Sequence, residues 1–191
     1  NMYRMKGKDE RLCEKCARPT CLQPTVCKNL NTDHHPLIEI YKEVDQNPKV
    51  KKATIGSGIR YDLFLHASTP EENKAMGYDE YFRQLVTRHV SGRLKVAPDH
   101  TSDAVLKLMR KPKFDMFVKL KQRFDQINEK EHLNQQLIPY FISSHPDCYL
   151  EDMAELAVRT KELGYHLEQV QDFTPTPMTL ATEIYYSGYD P

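Results

Sequence analysis

Four cysteines crowd one stretch near the amino end, CEKCARPTCLQPTVC, at Cys13, Cys16, Cys21 and Cys27. Thiolates are soft ligands, and four of them in one loop can surround a tetrahedral zinc ion or an iron–sulfur cluster. Pro19 and Pro24 stiffen the chain between them, and His34 and His35 stand behind as reserve nitrogen ligands. The spacing lacks the paired C-x2-C of a zinc ribbon. A reduced cysteine cluster that only packs a loop therefore stays open beside metal or cluster binding. The fifth cysteine, Cys148, stands alone. Small secreted domains spread their cysteines along the chain as staples, so confinement to one end points instead to a cytoplasmic protein with reduced thiols.

A second set of capable side chains falls in four separate phrases. They are Gly56-Ser57-Gly58-Ile59-Arg60-Tyr61-Asp62, Ala97-Pro98-Asp99-His100-Thr101, Ser143-Ser144-His145-Pro146 and Asp172-Phe173-Thr174-Pro175. Small residues let backbone approach a ligand closely, while Arg60, Asp99, the two histidines and the hydroxyls offer directional hydrogen bonds. Each phrase alone is equally ordinary turn chemistry. Their claim to form one polar pocket depends on the elements that carry them.

Those elements follow from periodicity. Residues 1–36 read as an irregular, Cys-rich segment. From 37 onward, helical and strand patterns alternate. Leu37, Ile40, Tyr41 and Val44 share a helix face with Pro36 in its first turn, and Val50–Arg60 reads as a strand ending in a Gly-Ser-Gly tip. Tyr78, Tyr81, Phe82, Leu85 and Val86 mark the next helix, closed by Ser91-Gly92 ahead of a strand over Arg93–Ala97. Thr101 suits an N-cap for a helix with Val105, Leu108 and Met109 inward, and a longer helix runs from Phe114 to Ile127. Leu137–Ser144 reads as a strand despite Pro139, and Asp147 or Tyr149 opens a helix that Gly164 closes. Leu167–Phe173 is the last strand, with a terminal helix near Met178–Tyr186. Strands alternating with amphipathic helices give an α/β fold, a parallel sheet with flanking helices and right-handed crossovers. About four strands are too few to close a barrel, so residues 37–191 read as a partial β/α barrel. In such folds function collects at the carboxyl ends of strands, where the four phrases lie.

Composition removes several classes. The 191 residues carry 27 Lys+Arg against 27 Asp+Glu, which leaves no net charge to draw nucleic acid. With 39% hydrophobic and 28% charged residues the chain is globular, and no run nears the roughly 20 apolar residues that span a membrane. The densest basic run, Lys107, Arg110, Lys111 and Lys113, surrounds a helix end and reads as a solvated face. There is no Walker loop, GxGxxG or GxSxG elbow. The chain opens on Asn1 without a cap, turn or strand, which reads as a portion of something larger.

Taken in order, several phrases resemble the C-terminal part of the catalytic region of a YgiQ-type radical S-adenosylmethionine (SAM) protein. They are Asn1-Met2-Tyr3, CARPTCLQPTVC, Gly56–Asp62, Lys95–Thr101, Ile138–Pro146 and Gln169–Pro177. A fainter likeness to methylthiotransferase-type radical SAM barrels runs through Val105–Arg110 and the closing Thr174-Pro175-Thr176-Pro177. The resemblance implies a partial six-stranded barrel holding SAM and a [4Fe–4S] cluster, and a 5′-deoxyadenosyl radical that takes hydrogen from an unidentified substrate. The family binds that cluster through C-x3-C-x2-C, a spacing that none of the five cysteines reproduces. The four strands would then be the third to sixth, and the missing N-terminal part of the same barrel would be the chain's partner. By position, the resemblance assigns Lys95, Asp99, His100 and Thr101 to the SAM ribose, and Ser143, Ser144 and His145 to the border of adenine. It places Ser57 and Arg60 nearby, with Arg60 paired to the SAM carboxylate.

The resemblance therefore predicts part of a radical SAM iron–sulfur enzyme that is inactive alone. Two other readings compete. One is a metal-binding interaction module built on the Cys13–Cys27 loop with zinc or an auxiliary cluster. The other is a hydrolytic or aldolase-like barrel, which requires Asp99, His100 and His145 to converge within hydrogen-bond reach.

Overall fold

The computed structural model describes residues 2–67, 69–167 and 170–191. Asn1, which opens the first family phrase, and Glu168 and Gln169, within the expected last strand, lie outside the described residues. The chain forms two compact units, Asn1–Lys95 with Val118–Ile138 and Val96–Phe117 with Pro139–Pro191.

The first unit opens with the Cys-rich segment, which is irregular apart from one short helix, α1 (Glu10–Glu14), capped by the Asp9 carboxylate. Next come α2 (His35–Gln46), α3 (Asp62–Leu65), α4 (Pro70–Met76) and α5 (Tyr78–Arg88). Pro36 sits in the first turn of α2, where a missing N–H costs nothing. Along α5 the buried residues are Tyr78, Tyr81, Phe82, Leu85 and Val86, the stripe that a 3.6-residue period predicts. Phe64 stacks on Phe82 and meets Tyr81 edge-on, so the core of this unit is largely aromatic.

The expected first strand does not form. Residues 50–60 contain no ladder; Ile55 N–H instead donates to the His89 carbonyl, and the His89 ring binds the Ala53 carbonyl. Three glycine or serine positions in succession weaken strand formation, and these two bonds to the end of α5 hold the segment in place of sheet pairing. A Cβ on Gly58 would lie 3.5 Å from the Lys95 carbonyl, so this segment passes alongside the strand that carries Lys95.

Three strands form the sheet, β1 (Arg93–Asp99), β2 (Gln136–Ser143) and β3 (Val170–Asp172), in the order β1-β2-β3. The sheet is parallel and not closed, as α/β alternation requires, with three strands described where about four were expected. In register, Phe141, Ile142 and Ser143 face Val170, Gln171 and Asp172. Two prolines fall inside strands, and both have a place. Pro98 is on β1, an edge strand, and Pro139 on the central β2 precedes Phe141, where pairing with β3 begins. Burial alternates along β1, with Leu94, Val96 and Pro98 covered and Arg93, Lys95 and Ala97 exposed. A parallel strand inside a finished α/β domain is covered on both faces, whereas β1 has one face clothed and one bare.

Between β1 and β2 run α6 (Asp103–Leu108) and α7 (Phe114–Lys130). Phe114, Phe117, Leu120 and Phe124 make the buried stripe of α7. The N-cap of α6 is Ser102, not the expected Thr101. Thr101 belongs instead to the turn leaving β1, because Asp99 takes a left-handed φ of 65° and redirects the chain before the helix starts. After β2, α8 (Leu150–Glu162) begins at Tyr149 and ends before Gly164, whose φ of 78° suits a glycine stop. The last helix, α9 (Leu180–Ser187), starts at the Thr179 cap.

Candidate functional site

The carboxyl ends of β1 and β2 carry the best-formed polar cluster, and all of it belongs to the second unit. Asp99, His100, Thr101, Ser102 and His145 are each at most 8% exposed, which is unusual for five polar side chains in one small unit. The backbone beneath them is strained. Asp99, Ser144 and Asp147 all have positive φ, at 65°, 59° and 65°. Non-glycine residues held there cost about 1–3 kcal/mol each, and such strain gathers where a site aims its groups.

Hydrogen bonding settles which ring atoms are available. The Ser102 backbone N–H donates to His100 Nδ1 at 3.0 Å, so that nitrogen carries no proton. The neutral ring is then protonated at Nε2, which lies 3.4 Å from Cys148 Sγ and donates to the sulfur. Burial lowers the His100 pKa and raises that of the Cys148 thiol. Both shifts favour the neutral pair over thiolate and imidazolium, so this is not an activated nucleophile. His145 is arranged the other way. Its Nδ1–H donates to the Pro146 carbonyl at 2.9 Å, which leaves Nε2 as a bare acceptor, and burial lowers its pKa too.

The remaining members set the charge. Lys111 Nζ lies 2.5 Å from Asp99 Oδ2, so the buried carboxylate is neutralised. Thr101 Oγ1 is buried with no hydrogen-bond partner, an acceptor and donor left for a ligand. Ser143 Oγ donates to the Asp172 carboxylate across the β2–β3 register. Phe173 lies with its ring centroid 5.3 Å from that of His145, in an edge contact. Asp152, held below its usual range chiefly by the Tyr149 backbone N–H, adds negative charge toward His100.

Of the residues singled out from sequence, the structure thus brings Asp99, His100, Thr101 and His145 together. Ser143 follows on β2, bound to Asp172, and Ser144 is exposed at the strand end. Ser57, Arg60 and Lys95 belong to the first unit. Ser57 and Lys95 are exposed, while the Arg60 guanidinium grips Asp62 through Nε at 3.1 Å and Nη2 at 2.5 Å. The fork that would clamp a ligand carboxylate therefore holds a carboxylate of its own chain. Three participants escaped the sequence reading: Ser102, Lys111 and Cys148. Only Cys148 carried a signal, standing three residues after His145.

For acyl or aldol chemistry a carboxylate would orient a histidine. Here the Nδ1 atoms of His100 and His145 are both engaged by backbone groups, and Asp99 is paired with a lysine. The geometry suits reception of a neutral polar ligand rather than proton relay.

The four clustered cysteines lie apart from these residues in the chain and in the first unit. All are unpaired by disulfides, and all line one hollow of about 810 Å³. Among the described residues, no three His, Cys, Asp or Glu side chains are gathered closely enough to hold a single metal ion. His34 and His35 do not line that hollow; His34 is fully buried, and His35 pairs with Asp33 at 2.6 Å. Among the described residues no helix is long and apolar enough to cross a membrane.

Comparison with known proteins finds the whole of this sequence inside longer chains. It is 64% identical over 192 residues to a UPF0313 protein of Bacteroides thetaiotaomicron, covering 100% of this chain and 31% of that one. A UPF0313 protein of Porphyromonas gingivalis is 59% identical over 191 residues, 100% of this chain and 30% of the relative. One from Methanocella arvoryzae is 46% identical over 176 residues, 92% of this chain and 28% of the relative. The chain therefore spans less than a third of the length of the curated relatives it matches. No family model matches it, and no solved structure does.

Proposed function

We propose that this chain is a part of a radical SAM iron–sulfur protein of the YgiQ type, and that the ends of β1 and β2 receive the adenosyl portion of SAM. When bound, SAM supplies reductively initiated radical chemistry, with a cofactor rather than a side chain doing the demanding step. The observation that carries the reading is the buried Thr101 Oγ1, which has no hydrogen-bond partner, together with His145 in the same unit, whose Nδ1–H is taken by the Pro146 carbonyl so that Nε2 is left to accept. A ribose presents hydroxyls that both donate and accept, and these two atoms answer it. Asp99 is positioned by Lys111, the cluster is buried, and the half-buried Ile142 offers apolar contact to a base. The full-length similarity to proteins about three times as long agrees with a site completed elsewhere in the parent chain.

The residues do not fit the cluster of the radical step. Its C-x3-C-x2-C ligand spacing has no counterpart among Cys13, Cys16, Cys21, Cys27 and Cys148, so no step through that cluster is assigned to this chain.

Thr101→Val tests the ligand assignment. It removes a buried hydroxyl that has no partner, so the thermal midpoint should hold or rise. NMR titration with S-adenosylhomocysteine should move His100, Thr101 and His145 resonances in the wild type, with affinity about tenfold weaker in the variant. Unmoved strand-end resonances at millimolar ligand would end the assignment.

A further inference from the structure

We propose that the Cys13–Cys27 loop is an iron–sulfur site, holding a polynuclear cluster through Cys13, Cys16, Cys21 and Cys27 rather than a single zinc ion. The loop is closed at its neck. Residues 6–8 run antiparallel to 29–31, with Lys8 N–H donating to the Asn29 carbonyl at 2.7 Å and Asn31 N–H to the Lys6 carbonyl at 2.8 Å. All four cysteines fall between those arms and line the same hollow. Inside it, backbone bonds tie them pairwise, Cys16 N–H to the Cys13 carbonyl and Cys27 N–H to the Cys21 carbonyl.

Three features suit a thiolate cluster over an idle loop. First, Asn29 Nδ2 donates to Cys13 Sγ at 3.3 Å, the kind of N–H···S contact that tunes cluster sulfurs. Second, a Cβ on Gly7 would stand 2.3 Å from Cys13 Sγ, so the sulfur occupies space that only glycine leaves. Third, the hollow is lined by cations. Arg18 and Lys28 face it, and Arg18 holds the loop by donating to the Gln23 and Thr25 carbonyls while its buried Nε has no partner. Four thiolates around iron and sulfide carry net negative charge, which these cations offset.

The choice of a cluster over zinc comes from how the thiols are arranged. One tetrahedral ion holds its sulfurs at about 2.3 Å, which needs them tightly gathered. Among the described residues no three such side chains are gathered about one point, while all four thiols line one hollow, so the arrangement suits ligation of several irons rather than of one ion. The site is independent of the strand-end SAM reading, and its test contains no SAM.

The 191-residue chain is reconstituted anaerobically with ferrous iron and sulfide, desalted, and analysed for iron, sulfide and visible charge-transfer absorption. About four irons and four sulfides per chain are expected, retained by Cys148→Ser and cut at least fourfold by Cys16→Ser or Cys21→Ser. Mass-mapped alkylation of the wild type makes the result independent of whether the variants fold. Cys13, Cys16, Cys21 and Cys27 should be protected by the iron–sulfide treatment, and Cys148 should label at an unchanged rate. Iron no higher than in the variant lacking all four cysteines would overturn the proposal. So would one zinc per chain, protecting the same four cysteines while iron and sulfide do not.

Discussion

His34 has no exposed surface, and its ring meets Phe64 and Tyr78 edge-on at 6.0 and 5.3 Å between centroids. Its Nδ1–H donates to the Thr32 carbonyl at 2.7 Å, and Nε2 has no partner. Burial pushes its pKa from 6.5 down to about 4. An unfolded chain therefore binds a proton between those values that the folded chain refuses. The stability from the neutral ring is complete above pH 6.5 and is lost as pH falls toward 4, a change of about 3 kcal/mol. Urea unfolding followed from pH 7 to pH 4 should show that fall, and His34→Asn should flatten it. A histidine next to the Cys-rich loop invites reading as a metal ligand. Its aromatic cage, formed by residues 30 to 47 positions away, shows it to be a core residue, which no local spacing reveals. The Asp99–Lys111 pair and the His100–Cys148 contact, over 12 and 48 positions, were hidden for the same reason.

At the scale of elements, helices were the most readable because their amphipathic period is local. The stripe of α5 and the glycine stop of α8 follow directly from residue order. Three short helices, α1, α3 and α4, escaped because four to seven residues carry too little period to register. Gly77 joins α4 to α5 as the C-cap of one and the N-cap of the other, with φ of 68°. A Cβ there would lie 3.1 Å from both His35 Nε2 and Ile38 Cδ1. Gly77→Ala should therefore destabilise the chain by about 1–3 kcal/mol in urea unfolding, through left-handed strain and contact with α2. The Val50–Arg60 segment shows the opposite error. Its β-branched residues suggest a strand, yet pairing is a non-local event, and the nearest partners offered were the end of α5 and the His89 ring.

For the whole molecule, the bare face of β1, the exposed β3 and Leu150 and Val158 on the outer side of α8, 82% and 55% exposed, describe surfaces that a self-contained domain would cover. The relatives it matches carry chain beyond the matched stretch, which makes up about a third of their length. On the proposed function, the reconstituted 191 residues should form no 5′-deoxyadenosine from SAM under reduction, read by chromatography, because the ligands of the radical cluster are not in this sequence. Formation of that product would refute the reading. Sequence by itself determined the α/β class, the buried faces of α5 and α7, the balance of charge, a strand count too low to close a barrel and the four thiols in one loop, all properties of composition and local period. Tertiary structure decided the rest. It showed which strand ends share a buried cluster, which histidine nitrogen is free, that Arg60 is held by Asp62, and that the four cysteines face one hollow. Those facts depend on contacts between distant residues and on hydrogen-bond direction, neither of which a linear spacing contains.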